Sequence, residues 1–313
     1  MAQRRHRGLK AFRPLKRIFD GLLGWFTVGA LAILRGVNRQ RMANMLGRLM
    51  RWVGPWFPEH RIGQTNLRAA FPEKSPEEIE SILAGVWDNL GRVAAEFSHI
   101  DRIKIRPPDL AKQSGDSDAS YDEATYRRLG ELRDGGKPSL IFAAHLANWE
   151  LPAIAARSFG LNTSVLYRRP NIGGASDAIV ALRERCMGNM VAAGLDAPLK
   201  LGRALERGEH VAMLVDQHSN QGVDVVFFGR WVKANSLLAQ LARLTGAPIY
   251  GVRAVRLPDG NHFRGELTEE IVPTRDADGR IDLQGTMQKV TTVIEGWVRE
   301  HPEQWLWLHR RWR

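Results

Sequence analysis

The chain has 313 residues, and its Lys and Arg residues outnumber its Asp and Glu residues by 45 to 34, giving a formal net charge of +11 at pH 7. This charge favours anionic partners, a class that includes nucleic acid, anionic lipid and acidic carrier proteins. Cys186 is the single cysteine, which excludes an intrachain disulfide and a cysteine-clustered zinc site and suits a reducing compartment.

The N-terminal region combines a basic segment with an apolar one. Seven basic residues precede the first acidic residue, Asp20, and Ile18–Leu34 is otherwise apolar or small. A clean transmembrane helix needs about 20 apolar residues, so this shorter, interrupted run either spans with difficulty or lies in the membrane interface. The basic residues continue past Leu34 among apolar ones and beside Trp52 and Trp56, which is typical of helices at the headgroups of anionic lipid. Residues 1–60 are therefore predicted to anchor the protein to a membrane, and a basic arm for nucleic acid is the weaker alternative because it needs no apolar run.

The rest of the chain, residues 61–313, is predicted to form an α/β domain with a mixed, largely parallel sheet flanked by helices. Ser75, Pro76 and Glu78 predict a capping box at the start of a helix that reaches Phe97, and the polar stretch Pro107–Asp122 predicts a loose surface connection. From Tyr121 onward helices and strands alternate. The predicted helices are Asp122–Arg133, one that ends near Phe159, Ala175–Cys186, Pro198–Glu206, Asn235–Thr245 and Leu283–Arg299. The predicted strands are one that ends at Ala144, Ser164–Tyr167, Val211–Val215, Val223–Phe228, Ile249–Arg256 and an edge strand, His262–Thr268, paired with Ile249–Arg256.

The segment Ser139–Glu150 is the most informative part of the sequence. A buried strand leads directly into His145, at the end of the sheet where α/β folds present reactive groups. Asn148 is expected to cap a helix that begins at Trp149, which would bring Glu150 within hydrogen-bonding reach of His145. A carboxylate on one imidazole nitrogen fixes the tautomer, so that the other nitrogen accepts a proton from a hydroxyl. The alternative is a partly buried polar histidine and a glutamate placed only by the helix dipole.

Other polar residues at strand ends are candidates for binding an anionic substrate. Arg168 and Arg169 follow one strand and either project into the crevice beside His145 or face solvent. Asp216 and Gln217 end a further strand, where they either orient substrate or make structural hydrogen bonds. Arg253 lies within an apolar strand and needs a partner, for which Asp216 is the candidate.

The C-terminal segment alternates Trp and Leu before three basic residues, His309, Arg310 and Arg311. The alternating Trp and Leu residues either contribute to the site or form an ordinary strand that closes the sheet, in which case the three basic residues remain as a cluster near the site or the membrane. We find no nucleic-acid module, no His-Glu-x-x-His zinc motif and no Gly-x-Ser-x-Gly nucleophile elbow in the sequence, and we predict no metal, no cofactor and no nucleic-acid partner.

The His-x-x-x-x-Glu block resembles the motif of glycerolipid-type acyltransferases, and the longer run from His145 to Glu150 resembles the late acyltransferases of lipid A biosynthesis, the lauroyl/myristoyl transferase family. Further similar segments follow in the order that this family shows, from about Asn66 to the end of the chain. They are Asn66–Glu73, Tyr167–Pro170, Asp216-Gln217, Phe227–Gly229, Ala247-Pro248, Arg253 and Pro302–Arg311, of which the last is the most specific.

The resemblance implies a lysophospholipid acyltransferase-like fold with a retained anchor in the inner membrane and its catalytic domain on the cytoplasmic side. It implies transfer of a fatty acyl chain from acyl carrier protein to a hydroxyl of a lipid A precursor, by direct attack without an acyl-enzyme. His145 would be the base and Glu150 its orienting acid. The expected substrate-binding residues are Arg168, Arg169, Asp216, Gln217, Arg253, His309, Arg310 and Arg311. The family often continues Asp-Gln with Asp and an aromatic residue, whereas His218 follows here, and the resemblance leaves the chain length and the acylated hydroxyl open.

Two alternatives remain beside this reading. The first is an acyltransferase that acts on a glycerophospholipid or a mannosylated lipid. The second is a lipid-binding protein that has kept the fold and the anchor without catalysis.

Overall fold

The computed structural model describes residues 35–106, 117–169 and 175–312. The apolar run Ile18–Leu34 and the basic residues before it lie outside the described residues, so their predicted membrane role stays a prediction. Within the described ranges, no helix combines the length and the apolar character that crossing a bilayer requires. The predicted division at residue 60 also stays a prediction.

Among the described residues, three α-helices precede the sheet: α1 (Arg39–Val53), α2 (Pro58–Ala70) and α3 (Pro76–Phe97). The predicted capping box of α3 is confirmed, since the Glu78 amide donates to Ser75 Oγ at 3.2 Å and the Ser75 amide donates to the Glu78 carboxylate at 2.8 Å. Helix α1 packs directly on α3, where a Cβ atom added at Gly91 would lie 2.3 Å from the Leu46 carbonyl oxygen. Glycine therefore permits this close contact between the two helices.

The predicted alternation after Tyr121 is confirmed. The helices are α4 (Glu123–Asp134), α5 (Leu151–Ser158), α6 (Ala175–Met187), α7 (Ala197–Glu206), α8 (Leu237–Thr245) and α9 (Leu283–Glu300). The strands are β1 (Ala119–Tyr121), β2 (Leu140–Ala143), β3 (Thr163–Tyr167), β4 (Asn189–Ala192), β5 (His210–Leu214), β6 (His218–Phe227), β7 (Arg230–Ala234), β8 (Ile249–Arg256) and β9 (Phe263–Leu267). Strands β1, β4 and β7 were not predicted. The predicted loose connection therefore includes β1 near its end, and residues 107–116 lie outside the described residues.

The described strands form a seven-stranded sheet in the order β1-β9-β8-β2-β5-β3-β4. All neighbours pair in parallel except β8 and β9, which are antiparallel. The predicted α/β fold with a mixed, largely parallel sheet is thus confirmed. The predicted pairing of His262–Thr268 with Ile249–Arg256 is also confirmed, but its edge position is wrong, because β1 pairs with β9 on the outer side through Ala119 and Phe263.

Strands β6 and β7 form a separate hairpin, with a turn that holds Phe228 and Gly229 at positive φ angles of 51° and 67°. Two such residues in succession are typical of the type I′ turn that suits a two-residue hairpin loop. The Trp-rich tail does not form a strand that closes the sheet, so that alternative is wrong. After α9 a short 3-10 helix, Pro302–Gln304, leads to an isolated bridge between Trp305 and Leu146, and Trp305 packs edge-on against Phe227.

Helices cover both faces of the sheet. One face packs against α2, α3, α7, α8 and α9, and the other against α4, α5 and α6. Strand β2 is the central strand and is buried along its whole length, with Phe142 stacked on Trp297 at 5.7 Å between ring centroids. His145 therefore leaves the sheet at its centre, at the carboxyl end where parallel strands open a crevice.

Candidate active site

His145 is bound through its ring and its backbone to the carboxylate of Asp216. The ring Nδ1 lies 2.7 Å from Asp216 Oδ1, and the His145 amide donates to Asp216 Oδ2 at 2.8 Å. Because β2 and β5 are parallel neighbours, His145 and Asp216 follow the same end of the sheet. A carboxylate at Nδ1 favours the tautomer with the proton on Nδ1, which leaves the lone pair of Nε2 free to accept a proton.

Asp216 is buried and accepts a third hydrogen bond, from the indole Nε1 of Trp305 at 2.8 Å. Burial alone would raise the pKa of Asp216, but the charge and hydrogen bond of His145 outweigh it and hold the pKa well below its usual range. In the same way, burial lowers the pKa of His145, while the charge and hydrogen bond of Asp216 produce a net increase. The pair is therefore stabilised in its ionised form relative to either residue alone.

Glu150 does not hydrogen bond to His145, so the predicted contact between them is wrong. Both Glu150 oxygens pair with the guanidinium of Arg183 on α6, with 3.1 Å between Arg183 Nε and Glu150 Oε2. A bidentate, charge-assisted pair of this kind is stronger than a bond to an imidazole that already has a carboxylate partner. The predicted helix start is also shifted, since α5 begins at Leu151 and the Asn148 side chain accepts from the Glu150 amide instead of capping a helix at Trp149.

The loop from His145 to Glu150 is held in an unusual conformation by distant residues. Ala147 has a positive φ of 46°, which a residue with a side chain rarely adopts. Its amide donates to the Gln304 carbonyl at 2.8 Å, and its carbonyl accepts from the Asn89 side chain at 3.2 Å. Asn148 donates to Glu96, whose carboxylate forms a buried ion pair with Arg256. Segments from α3, β8 and the tail thus fix the backbone between His145 and Glu150.

A cavity of about 480 Å³ opens beside His145 and extends between α5 and the sheet. Its polar lining includes Glu150, Arg168, Arg183 and Gln217 on the side of His145, and Thr125, Thr163 and Glu266 elsewhere. The remainder is mainly apolar and is lined by residues of β1, α4, α5, α6 and β5 and of the turn before β3, among them Tyr121, Leu129, Ala156, Leu161, Met187 and Ala212. The site therefore joins a histidine base to a largely apolar cavity, an arrangement suited to chemistry at the head of an acyl chain.

The structure places the predicted binding residues in different surroundings. Arg168 lines the cavity, whereas Arg169 is exposed and pairs with Asp177. Arg253 lies outside the cavity lining, and its predicted pairing with Asp216 is wrong. Its guanidinium contacts Glu266 and Glu300, each at 2.6 Å, because these residues face Arg253 from β9 and α9 while Asp216 is occupied by His145.

The three basic residues of the tail also separate. Arg311 is buried and donates to the carbonyls of Gln217 and Lys233 at 3.0 and 2.9 Å, and burial lowers its pKa to about 10. Arg310 is exposed. His309 packs edge-on against Trp305 at 5.3 Å between ring centroids, and burial lowers its pKa despite the opposing charge of Asp216. Arg311 therefore supports the backbone after Asp216, while substrate binding by any of the three stays a prediction.

Gln217 is exposed beside the imidazole, with its Nε2 3.3 Å from His145 Nε2. A substrate hydroxyl that replaces this contact of the Gln217 side chain would meet the basic nitrogen directly. Among the residues that the structure describes, no three His, Cys, Asp or Glu side chains are grouped as metal ligands would be.

Comparison with known proteins identifies the family. The family model described as bacterial lipid A biosynthesis acyltransferase matches residues 9–313. The chain belongs to this family. It is 25% identical over 298 residues to the lipid A biosynthesis palmitoleoyltransferase of Escherichia coli K12, covering 93% of this chain and 91% of that protein. The lipid A biosynthesis acyltransferase of Shigella flexneri shows the same identity and coverage. The protein is thus an enzyme of acyl transfer in lipid A biosynthesis.

Several residues at the site of this lipid A acyltransferase were not predicted from the sequence. Arg183 and Glu96 carry no local signal, because each acts through a partner far away in the chain. Trp305 belongs to the segment that most resembles the family. The alternation of Trp and Leu there does not indicate that the Trp305 indole hydrogen bonds to Asp216. The charged residue within the apolar strand β8 was a usable signal, since Arg256 ends that strand and is only 8% exposed.

Proposed function

We propose that this enzyme transfers a fatty acyl chain from acyl carrier protein to a hydroxyl of a lipid A precursor, with His145 as the general base. The observation that carries the proposal is the position of the imidazole: it is held by Asp216 at one nitrogen and borders an apolar cavity that extends beneath α5. The acceptor hydroxyl gives its proton to His145 Nε2 while its oxygen attacks the thioester carbon. The carbon–sulfur bond then breaks, and the imidazolium returns the proton to the departing thiolate.

The apolar part of the cavity supports an acyl substrate. Each methylene moved from water into such a site contributes about 0.8 kcal/mol, so a fatty chain is held along its length while its carbonyl stays at the polar end. Arg168 borders that end and is exposed, whereas the guanidinium of Arg183 is bound by Glu150. The free guanidinium group of Arg168 suits a phosphate of an anionic sugar-lipid headgroup, which supports a lipid A precursor as the acceptor.

The charge of the chain supports the acidic carrier protein as the acyl donor. A net charge of +11 steers an acidic partner toward the enzyme and raises the rate of association more than it raises affinity. Lys200 and Arg203 are exposed on α7 and offer part of this basic surface. Direct transfer within a ternary complex needs no nucleophilic serine or cysteine.

A membrane location on the cytoplasmic side of the inner membrane is part of the proposal. Helix α1 packs one side on α3 and exposes apolar residues on the other, with Met45 56% exposed and Trp52 66% exposed. Trp56 and Phe57 continue this surface, 71% and 46% exposed. The exposed basic residues among them are Arg41, Arg48 and Arg51. Aromatic rings interspersed with arginines are typical of a helix at the headgroups of anionic lipid.

The test incubates the purified enzyme in mixed vesicles with labelled acyl-acyl carrier protein and a lipid A precursor. Wild type should add one acyl chain to the precursor, measured by mass spectrometry, and His145→Ala should reduce the rate by roughly 10²–10⁴-fold, the usual contribution of a general base. His262→Ala is the matched control, because His262 is a surface residue paired with Asp259. Acylation of a glycerophospholipid or a mannosylated lipid instead would contradict the lipid A precursor as the acceptor. Binding of the lipid without acyl transfer would contradict the proposal that the protein is catalytic.

The pH dependence follows from the same geometry. His145 acts as a base only in its neutral form, and its pKa is raised above the ordinary value. The rate should therefore increase with pH through this raised pKa and reach a plateau above it. An initial-rate profile with saturating donor measures this, and a rate that falls across the same range would contradict a histidine base.

A further inference from the structure

One side of the cavity opening is formed by the ends of strands β3 and β4. Arg168 and Ala193 directly follow these strands, and both residues are exposed while they line the cavity. They lie side by side because β3 and β4 pair in parallel, with the Ala193 amide donating to the Tyr167 carbonyl at 2.8 Å. Strand β4 is the edge strand of the described sheet, so the chain beyond Ala193 lies beside the opening and next to solvent.

Two leucines project into solvent just beyond Ala193. Leu195 lies in the turn between β4 and α7 and is fully exposed, and Leu199 lies in the first turn of α7 and is 59% exposed. A fully exposed leucine packs against no other described side chain, so the described fold gives no reason for its apolar character. Exposed apolar side chains are unfavourable in water, and where they lie together they typically mark a contact with a partner.

Basic side chains lie around the two leucines. Lys200 and Arg203 are exposed on α7, and Arg168 is exposed at the opening. Within the described residues, Arg168 and Arg203 form no ion pair, whereas Lys200 pairs with Asp196 at 2.6 Å. Two of the three cations are therefore available to an acidic partner. We name this region the β4–α7 surface, and it comprises Arg168, Leu195, Leu199, Lys200 and Arg203.

Resting on the acyl donor of the proposed function, we propose that the β4–α7 surface is the site where the acyl carrier protein docks. The thioester has to reach His145 through the cavity opening, so the body of the carrier protein must lie against the surface beside that opening. Docking there removes the two leucines from water and brings acidic side chains of the carrier protein to the free arginines. The site thus joins apolar contact to charge complementarity at the place where the acyl chain enters.

The composition of the β4–α7 surface favours an acidic protein over a lipid bilayer. The exposed surface that begins on α1 carries Trp52, Trp56 and Phe57, which suit the headgroup region of a membrane. The β4–α7 surface has no aromatic residue, and Asp196 lies between its two leucines in the sequence, where anionic headgroups would repel it. A folded partner can instead offer a shaped apolar contact for two leucines and place its acids opposite the arginines.

The experiment compares two acyl donors in the full-length enzyme: the acyl carrier protein thioester and the same acyl chain as a pantetheine thioester, which lacks the protein. The double variant Leu195→Ser, Leu199→Ser should lower kcat/KM for the carrier protein thioester by about tenfold, because two apolar contacts are lost. kcat/KM for the pantetheine thioester should be unchanged, because its acyl chain enters the cavity without contacting the leucines. Fluorescence anisotropy of labelled carrier protein should show that binding weakens by the same factor, with no catalysis required.

Leu244→Ser is the matched control. Leu244 is 77% exposed near the end of α8, which leads into the amino end of β8, so it lies at the opposite end of the sheet from His145. This variant should behave as wild type with both donors. Thermal unfolding should be the same for all of these variants, because each replaced side chain is exposed.

Arg203→Glu tests the charge of the surface separately. Reversal of this exposed charge should lower kcat/KM for the carrier protein thioester at low salt, because it slows association with an acidic partner. The difference from wild type should shrink as salt is added, because salt screens charges on the surface. A loss that does not depend on salt would contradict charge complementarity at Arg203.

The outcomes separate this proposal from the proposed function. A wild type that accepts the pantetheine thioester but neither binds nor uses the carrier protein would contradict the proposed acyl donor, and the docking surface with it. A wild type that uses the carrier protein, beside a double variant that binds it equally well, would contradict the docking surface alone. Equal losses with both donors would also contradict it, since the leucines would then act on the cavity. Weaker binding of the double variant to anionic vesicles, with carrier binding unchanged, would show that the partner is lipid.

Discussion

The loop from His145 to Glu150 and the outer surface of α1 are built in opposite ways. In the loop, Ala147 and Asn148 bond to residues from α3 and the tail, and the loop is buried except for His145 and Trp149. On α1, exposed tryptophans and arginines project into solvent. A reacting group needs one fixed position and therefore many partners, whereas attachment to a lipid surface needs only the right composition on one face.

Breaking the buried network beneath the loop should have the largest effect on stability. Arg256→Met leaves the carboxylate of Glu96, which is 2% exposed, without its cation. Loss of one member of a buried ion pair costs about 3–5 kcal/mol, and the loop should lose its rigid backbone. Denaturant unfolding measures the free energy of unfolding, and the acyl-transfer assay measures the accompanying loss of rate.

Arg127→Gln is the control for that substitution. Arg127 and Glu131 form an ion pair 3.7 Å apart, with side chains 67% and 65% exposed. Such surface pairs contribute at most about 0.5 kcal/mol. Equal losses in the free energy of unfolding would show that the buried ion pair beneath the loop stabilises the fold no more than a surface ion pair does.

The same contrast explains how much of the fold was predictable from the sequence. Elements with local signals were predicted, such as α3 with its capping box and β8, whose bounds agree with the prediction. Strand β1 was missed because its three residues follow a polar stretch that contains Gly, Ser and Asp, and only pairing with β9 makes them a strand. Pairing of this kind is long-range and has no local sequence signature.

The site shows the same limit. The position of His145 at the end of a buried strand was predictable, since a charge-free apolar run directly precedes it. The carboxylate that binds His145 was not predictable. Proximity in sequence favoured Glu150, whereas the fold brings Asp216, 71 positions away in the chain, to the imidazole. Arg253 was misassigned for the same reason, as its partners Glu266 and Glu300 come from separate elements.

A substitution in the cavity lining away from His145 should change the preferred length of the acyl chain, with a smaller effect than the loss of the buried ion pair. Ala156 lines the cavity and its carbonyl accepts from the Leu161 amide, which places it near the start of β3 and away from His145 at the opposite end of the sheet. Ala156→Leu should fill the deep part and disfavour long acyl chains. A pocket that loses room for one or two methylenes changes preference by about tenfold.

The measurement is the ratio of kcat/KM for a long and a short acyl donor with the same enzyme preparation. Each variant is thereby its own control for folding and for the concentration of active sites. The ratio should move toward the shorter donor. An unchanged ratio would place the acyl chain elsewhere.

The smallest effects are expected on the exposed surface, where no single group is fixed by many partners. Trp52 and Trp56 pack edge-on at 4.8 Å between ring centroids and are both largely exposed. Replacing either with Ser should weaken binding to vesicles of anionic lipid by about fivefold, because roughly 1 kcal/mol of apolar burial is lost. Trp231→Ser is the matched control, since Trp231 is 69% exposed on the β6–β7 hairpin. A co-sedimentation assay measures the fraction of enzyme bound to vesicles. If Trp231→Ser weakens binding as much as the α1 variants do, the membrane contacts the hairpin as well, and α1 is not its specific docking surface.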